Sequence, residues 1–148
     1  MSAVLIAEFM IDGIPVPQGS KTAFVVGTRA VVTDANRGKL KPWRSTVAAA
    51  AGAAYSGEQL AGPLQMVVQF AFVRPASISA KRRPLPAVKP DLDKLLRALL
   101  DGITDSGIWR DDSQVVTLLA TKVYADRPGV RVQLGEYSNQ PPTETREQ

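Results

Sequence analysis

The 148-residue chain contains no cysteine and no histidine. The first absence removes disulfides, thiolate metal centres and cysteine nucleophiles, and it suits a reducing compartment. The second removes imidazole bases, Ser-His-Asp triads and histidine ligands. Proton transfer and metal ligation are left to carboxylates, lysine, tyrosine, hydroxyls and water. Aromatic residues make up only 6%. Trp43 and Trp109 are candidates to stack on bases, although core packing is the more ordinary fate of a tryptophan. No apolar run is long enough to span a bilayer. The N-terminal Met1-Ser2-Ala3-Val4-Leu5-Ile6-Ala7-Glu8 lacks a basic region and meets a carboxylate early, so no signal peptide is expected and a cytoplasmic location is.

What is present describes an ordinary globular chain. Apolar residues are 45% and charged residues 22%, enough for one compact domain with a real core. The net charge of +4 favours a polyanionic partner.

Several strands and two helices are readable. Residues 4–11 form a first strand, ended by Asp12-Gly13 and the prolines Pro15 and Pro17. Residues 23–26 and 29–33, on either side of Gly27-Thr28, predict a hairpin. A helix is expected over residues 42–54, with Pro42 in its first turn, where a missing N–H costs nothing. Residues 64–73 alternate Met66, Val68, Phe70 and Phe72 against Gln65 and Gln69, as a half-buried strand does. Residues 74–90 carry four prolines and little periodicity, which predicts a basic, flexible loop. A helix over residues 92–103 follows, with Leu95, Leu96, Leu99, Leu100 and Ile103 on its apolar face. Residues 113–124 and 130–137 then read as a closing antiparallel pair. The order predicts a single-domain α+β fold over residues 1–137, a small mixed or antiparallel sheet with two packed helices. Residues 138–148 read as a disordered polar tail.

Two acidic clusters stand out in this basic chain. Asp91-Leu92-Asp93 opens the second helix, and Asp111-Asp112 follows its closing turn at Thr104-Asp105-Ser106-Gly107. Taken singly, Asp91 is also a reasonable N-cap, Asp93 a favourable first-turn anion, and Asp111-Asp112 an ordinary polar turn. Together they suggest oxygen ligands for a hard divalent cation. Neighbours on a strand face opposite sides, so only one of Asp111 and Asp112 is expected to be a ligand. Asp101, four residues after Arg97, reads as an intrahelical ion-pair partner, and Asp105 as a turn residue.

Cations gather around the acids. Arg74, Lys81, Arg82, Arg83, Lys89, Lys94 and Arg97 surround Asp91 and Asp93 in sequence, and Lys39, Lys41 and Arg44 lie at the first helix. A charge run is often only a solvated face. Beside a carboxylate site it makes sense as phosphate contacts, with Lys41, Arg44, Lys81, Arg82, Arg83, Lys89 and Lys94 as the DNA-binding candidates.

The run Pro90-Asp91-Leu92-Asp93-Lys94-Leu95-Leu96-Arg97-Ala98-Leu99-Leu100-Asp101, then Gly107-Ile108-Trp109-Arg110-Asp111-Asp112-Ser113-Gln114-Val115-Val116 and a later Lys122, resembles the RusA family of Holliday junction resolvases. That family's signature is a D-L-D-N-x-x-K/R-x-x-x-D helix, a G-x-W/F turn, D-D-x-Q-V-V and a strand lysine. The resemblance covers about a quarter of the chain and holds in order and spacing. It implies a homodimeric endonuclease of phage or prophage type that resolves four-way, branched DNA with Mg²⁺, for which Mn²⁺ can substitute. Carried over by position, Asp91, Asp93 and Asp112 match the metal-binding carboxylates, and Arg97 and Lys122 complete the catalytic set. Lys94 stands where the family usually has Asn, and Arg97 where a lysine is often found. Arg97 keeps the charge but has no accessible pKa, so it can stabilise a phosphate but not donate a proton. A metal-dependent nuclease of broader specificity, and a DNA-binding accessory with a structural acidic cluster, are the competing readings.

Overall fold

The computed structural model describes residues 4–19, 21–27, 29–34 and 37–138. A four-stranded sheet carries two helices on one face. Its strands are β1 (Leu5–Asp12), β4 (Leu64–Phe72), β5 (Val115–Tyr124) and β6 (Gly129–Glu136), in the order β1-β6-β4-β5. β6 runs antiparallel to both β1 and β4, whereas β4 and β5 are parallel. A separate antiparallel hairpin joins β2 (Lys21–Val26) to β3 (Arg29–Asp34), as expected. The helices are α1 (Arg37–Ala54) and α2 (Leu92–Ser106).

The period-2 pattern of β4 decides which face is buried. Leu64, Met66, Val68 and Phe70 point into the core, where they meet Val130, Val132 and Leu134 of β6 in register. β1 adds Ala7, Phe9 and Ile11. The opposite face mixes polar residues with exposed Met10 and Leu119, and the Arg131 guanidinium Nε donates across strands to Glu8 at 3.0 Å. From the helices come Leu40, Trp43, Val47 and Ala51 on α1 and Leu95, Ala98, Leu99 and Ile103 on α2. The spacings, i, i+3, i+7, i+11 on α1 and i, i+3, i+4, i+8 on α2, are helical, so each helix buries one stripe. Burying each large aliphatic side chain contributes roughly 1.5–3 kcal/mol. The helices touch closely at Gly102, where an added Cβ would lie 2.7 Å from Val47. α2 stops at Gly107, whose φ of 79° is open to glycine and whose N–H donates to the Thr104 carbonyl.

Four expectations change. β5 and β6 are not paired with each other, because β4 lies between them. The chain instead runs β4–loop–α2–β5, a crossover that returns a parallel neighbour. α1 begins at Arg37, which puts Pro42 inside the helix. There it removes the hydrogen bond its N–H would have given to the carbonyl of Gly38. α2 runs on through Asp105, which is therefore a helical residue. Residues 74–90 have internal order: Arg83 N–H donates to the Ser79 carbonyl, Ala87 N–H to that of Leu85, and Pro86 is buried. The expected disorder of the tail falls, from residue 139, outside the described residues.

Candidate active site

The chain enters α2 through Pro90 and an extended Asp91 (φ −70°, ψ 139°). Asp91 occupies the N-cap position, yet its side chain accepts no capping hydrogen bond. An N-cap aspartate normally accepts from the second or third helical N–H. This one stays exposed, with the Lys94 ammonium 3.8 Å away. Exposed pairs at that distance contribute little. Asp93 sits in the first turn, where the helix dipole favours an anion.

Asp93, Arg97 and Asp101 follow at four-residue intervals and therefore share one face of α2. With Gln18, Arg44 and Lys94 they line an open cleft of about 470 Å³. The Gln18 N–H fastens one wall by donating to the Lys94 carbonyl at 3.0 Å. Across the cleft, Arg44 of α1 grips Asp105 with a two-pronged contact, Nε and Nη2 each 2.9 Å from a carboxylate oxygen. Asp105 holds the Arg44 guanidinium charged, raising its pKa, and Asp101 adds to that pull. Arg44, a DNA-contact candidate by sequence, thus has its planar fork engaged within the protein.

The turn after α2 is built around Gln114. Its side-chain oxygen accepts from the backbone N–H groups of Arg110 and Asp111 at 2.9 and 3.1 Å. Its amide donates to the carbonyls of Leu60 and Gly62 at 3.0 and 3.2 Å. Asp111 caps the short 3₁₀ turn Asp112–Gln114 by accepting from the Ser113 N–H. That backbone contact lowers the Asp111 pKa. Asp112 is left half-buried, and its pKa is raised, first by burial and then by Asp111 and Asp101. The two neighbours lie at a 3₁₀ turn before β5 and not on the strand itself, and they differ in environment, Asp111 capping the turn and Asp112 held partly dry against like charge. Trp109 is fully buried and donates its indole N–H to Thr104 at 2.8 Å. Trp43 is buried too, so both tryptophans are core residues.

Asp91 and Asp93 sit together at the head of α2, whereas Asp112 lies within reach of Asp101. The eight residues from Asp93 to Asp101 correspond to about 12 Å of helix rise. Among the described residues no group of three acidic side chains is disposed to hold a metal ion. A single chain therefore does not close the Asp91, Asp93, Asp112 set. As donors these groups fit a hard cation: unpaired or lightly paired carboxylates with no thiolate or imidazole competing. Asp101 and Asp105 are the acids that sequence reasoning undervalued.

Of the cations, Lys41, Lys81, Arg82, Lys89 and Arg97 are exposed, and Arg83 is half-buried. Lys122, on β5, donates to the carbonyls of Val88 and Pro90 at 2.7 and 2.9 Å. Arg74 binds the carbonyls of Arg83 and Pro84 and lies 4.6 Å over the Tyr124 ring.

An α+β domain that lines a cleft with carboxylates and arginine, beside a basic loop, has the composition of a nuclease that acts on phosphodiesters. The family profile described as Endodeoxyribonuclease RusA matches residues 12–135. The chain belongs to the RusA endodeoxyribonuclease family, and the protein is a hydrolase of that class. Nucleases of this family are metal-dependent and act on branched DNA. The chain is also similar to the uncharacterized protein YqaN of Bacillus subtilis (strain 168), at 29% identity over 140 residues, covering 88% of this chain and 96% of that protein. Among the described residues no helix is long and apolar enough to cross a membrane.

Proposed function

We propose that this protein is a Mg²⁺-dependent endonuclease that resolves four-way DNA junctions as a homodimer, with Asp91, Asp93 and Asp112 as its metal-binding carboxylates. The observation that carries the reading is the head of α2. Asp91 takes the capping position without making the capping bond, and Asp93 and Arg97 face one cleft beside it. A bound divalent ion would polarise the scissile phosphate and stabilise charge that develops on it. Arg97 neutralises phosphate oxygens as a fixed cation. With no histidine available, proton removal from water falls to a carboxylate or to solvent activated by the bound ion. The exposure of Lys81, Arg82 and Lys89 supports a role for them in contacting flanking phosphates.

Homodimerisation is supported by β5. Among the described residues it is an edge strand, paired with β4 alone. Residues 115–121 carry no charge, and Val116, Leu118 and Leu119 are 55%, 36% and 62% exposed. A long, apolar, open edge invites pairing unless something covers it. Antiparallel pairing of β5 with its copy across a twofold axis sets the start of one strand against the end of the other. Asp112 lies just before the start of β5 at Val115, and the Lys122 contact to Pro90 lies seven strand residues, about 23 Å, beyond Val115. Such pairing would carry Asp112 of one copy towards the acidic helix head of the other, and a twofold dimer suits paired nicks in a junction.

The test is cleavage of a labelled synthetic four-way junction beside a linear duplex, with Mg²⁺, for wild type and Asp93→Asn. Paired nicks in the junction alone, reduced roughly a thousandfold in the variant for a loss of about 4 kcal/mol, are expected. Equal cutting of both substrates points to a general nuclease, and binding without cutting to an accessory protein.

A further inference from the structure

Lys122 matches a family position expected to contact substrate, but its ammonium is already engaged. β5 places it beside Phe70 of β4. Its Nζ donates to the carbonyls of Val88 and Pro90 at 2.7 and 2.9 Å, so two of its three donors are taken. Those carbonyls flank Lys89, and the residue after Pro90 is Asp91. Arg74 holds the preceding part of the loop in the same way, through the carbonyls of Arg83 and Pro84 at 3.1 and 3.4 Å. Its guanidinium rests on Tyr124, two residues along β5 from Lys122. Packing beneath the loop is incomplete: a cavity of about 160 Å³ lies between Pro86, Val88 and Pro90 on one side and Phe72 and Tyr124 on the other. Charge-assisted bonds to the main chain therefore tie this segment to the sheet where packing leaves a gap.

We propose that Lys122 is a positioning residue that holds the main chain entering α2, and with it the Asp91 carboxylate, and does not contact DNA. The meaning given to Asp91 rests on the metal-nuclease reading above. A side chain that orients a ligand through the backbone acts on metal affinity, and loss of such a partner typically weakens binding 10–100-fold. A phosphate contact acts elsewhere: its removal weakens DNA binding and lowers the salt slope by about one.

The two roles separate in Lys122→Met, which keeps the length of the side chain without its donors, and Lys122→Arg, which keeps donors. Backbone hydrogen exchange of residues 87–92, Mg²⁺ titration followed by thermal shift, and junction binding in EDTA at several salt concentrations are measured. In Lys122→Met the exchange of residues 87–92 should rise at least tenfold, the half-saturating Mg²⁺ should rise at least tenfold, and the salt slope should stay unchanged. Lys122→Arg should recover part of the exchange protection. Unchanged exchange, or a salt slope lower by about one with an unchanged Mg²⁺ response, overturns the proposal. A wild-type protein that ignores Mg²⁺ and Mn²⁺ sinks the metal reading instead, and the exchange comparison still decides whether Lys122 holds the loop.

Discussion

Gln114 is the residue on which the geometry of the acidic turn depends, and its replacement tests that directly. Its side chain makes four hydrogen bonds, two as acceptor from the N–H groups of Arg110 and Asp111 and two as donor to the carbonyls of Leu60 and Gly62. A net worth of about 0.5–1.5 kcal/mol each, discounted because the residue is only half-buried, gives roughly 2–4 kcal/mol for Gln114→Ala. Gln114→Glu is the sharper perturbation because its shape is unchanged. One oxygen still accepts from the two N–H groups, but the other faces two carbonyl oxygens with a full negative charge. A loss of roughly 2–3 kcal/mol is expected at pH 7, or about 4–12 °C in melting temperature for a chain of this size. Those two carbonyls favour the protonated acid, so the folded-state pKa of the new glutamate is raised. Its stability deficit should therefore shrink as pH falls through that pKa and be smallest once the carboxyl is protonated in both states. Urea unfolding of wild type, Gln114→Ala and Gln114→Glu at pH 7 and pH 4 measures all of this. A Gln114→Glu protein within about 0.5 kcal/mol of wild type at pH 7, below what even one lost hydrogen bond costs, would refute the bridging role.

Three further outcomes are expected. Asp112 has a raised folded-state pKa, so its charge opposes folding at neutral pH, an opposition that fades as the group protonates. Asp112→Asn should therefore raise apo stability in EDTA at pH 7 but not at pH 3, while abolishing cleavage; equal stabilisation at both pH values would contradict the burial argument. Gly102→Ala should cost about 1–3 kcal/mol by chemical denaturation, because its Cβ meets Val47 at 2.7 Å and the helices must part; a neutral effect would mean the helix contact is loose. Leu119→Lys, a charge on the exposed apolar edge of β5, should shift light-scattering mass from dimer to monomer without lowering the unfolding midpoint of the monomer, and an unchanged dimer would place the interface elsewhere.

Much of this architecture is readable locally. The alternation in β4 and the apolar stripe of α2 each report which side is buried, because side-chain direction follows backbone period. The acidic pairs and the family resemblance rest on short-range order, and Asp111 with Gln114 three residues on fits a capping-box pattern that could have exposed the role of Gln114. What escaped depends on contacts between distant segments. The short turn before β6 resembles a hairpin, and nothing in either strand announces that β4 enters between them. Helical spacing and turn composition are the local signals at Asp101 and Asp105, yet the cation that engages Asp105 arrives from α1, 61 residues earlier. The separation of Asp112 from the helix head is of the same kind: it is set by how α2 lies along the sheet, which no spacing encodes.

The clamps on residues 74–90 grip carbonyl oxygens, which every residue has. Such a grip is blind to the identity of the residues it holds. The exposed stretch between Arg74 and the Arg83 carbonyl it grips, including Lys81 and Arg82, can be exchanged for another loop sequence while the backbone stays tethered at both ends. On the proposed reading, in which Lys81 and Arg82 contact DNA, preference among DNA shapes would be re-tuned in a single segment, with the acidic helix head and the core left as they are.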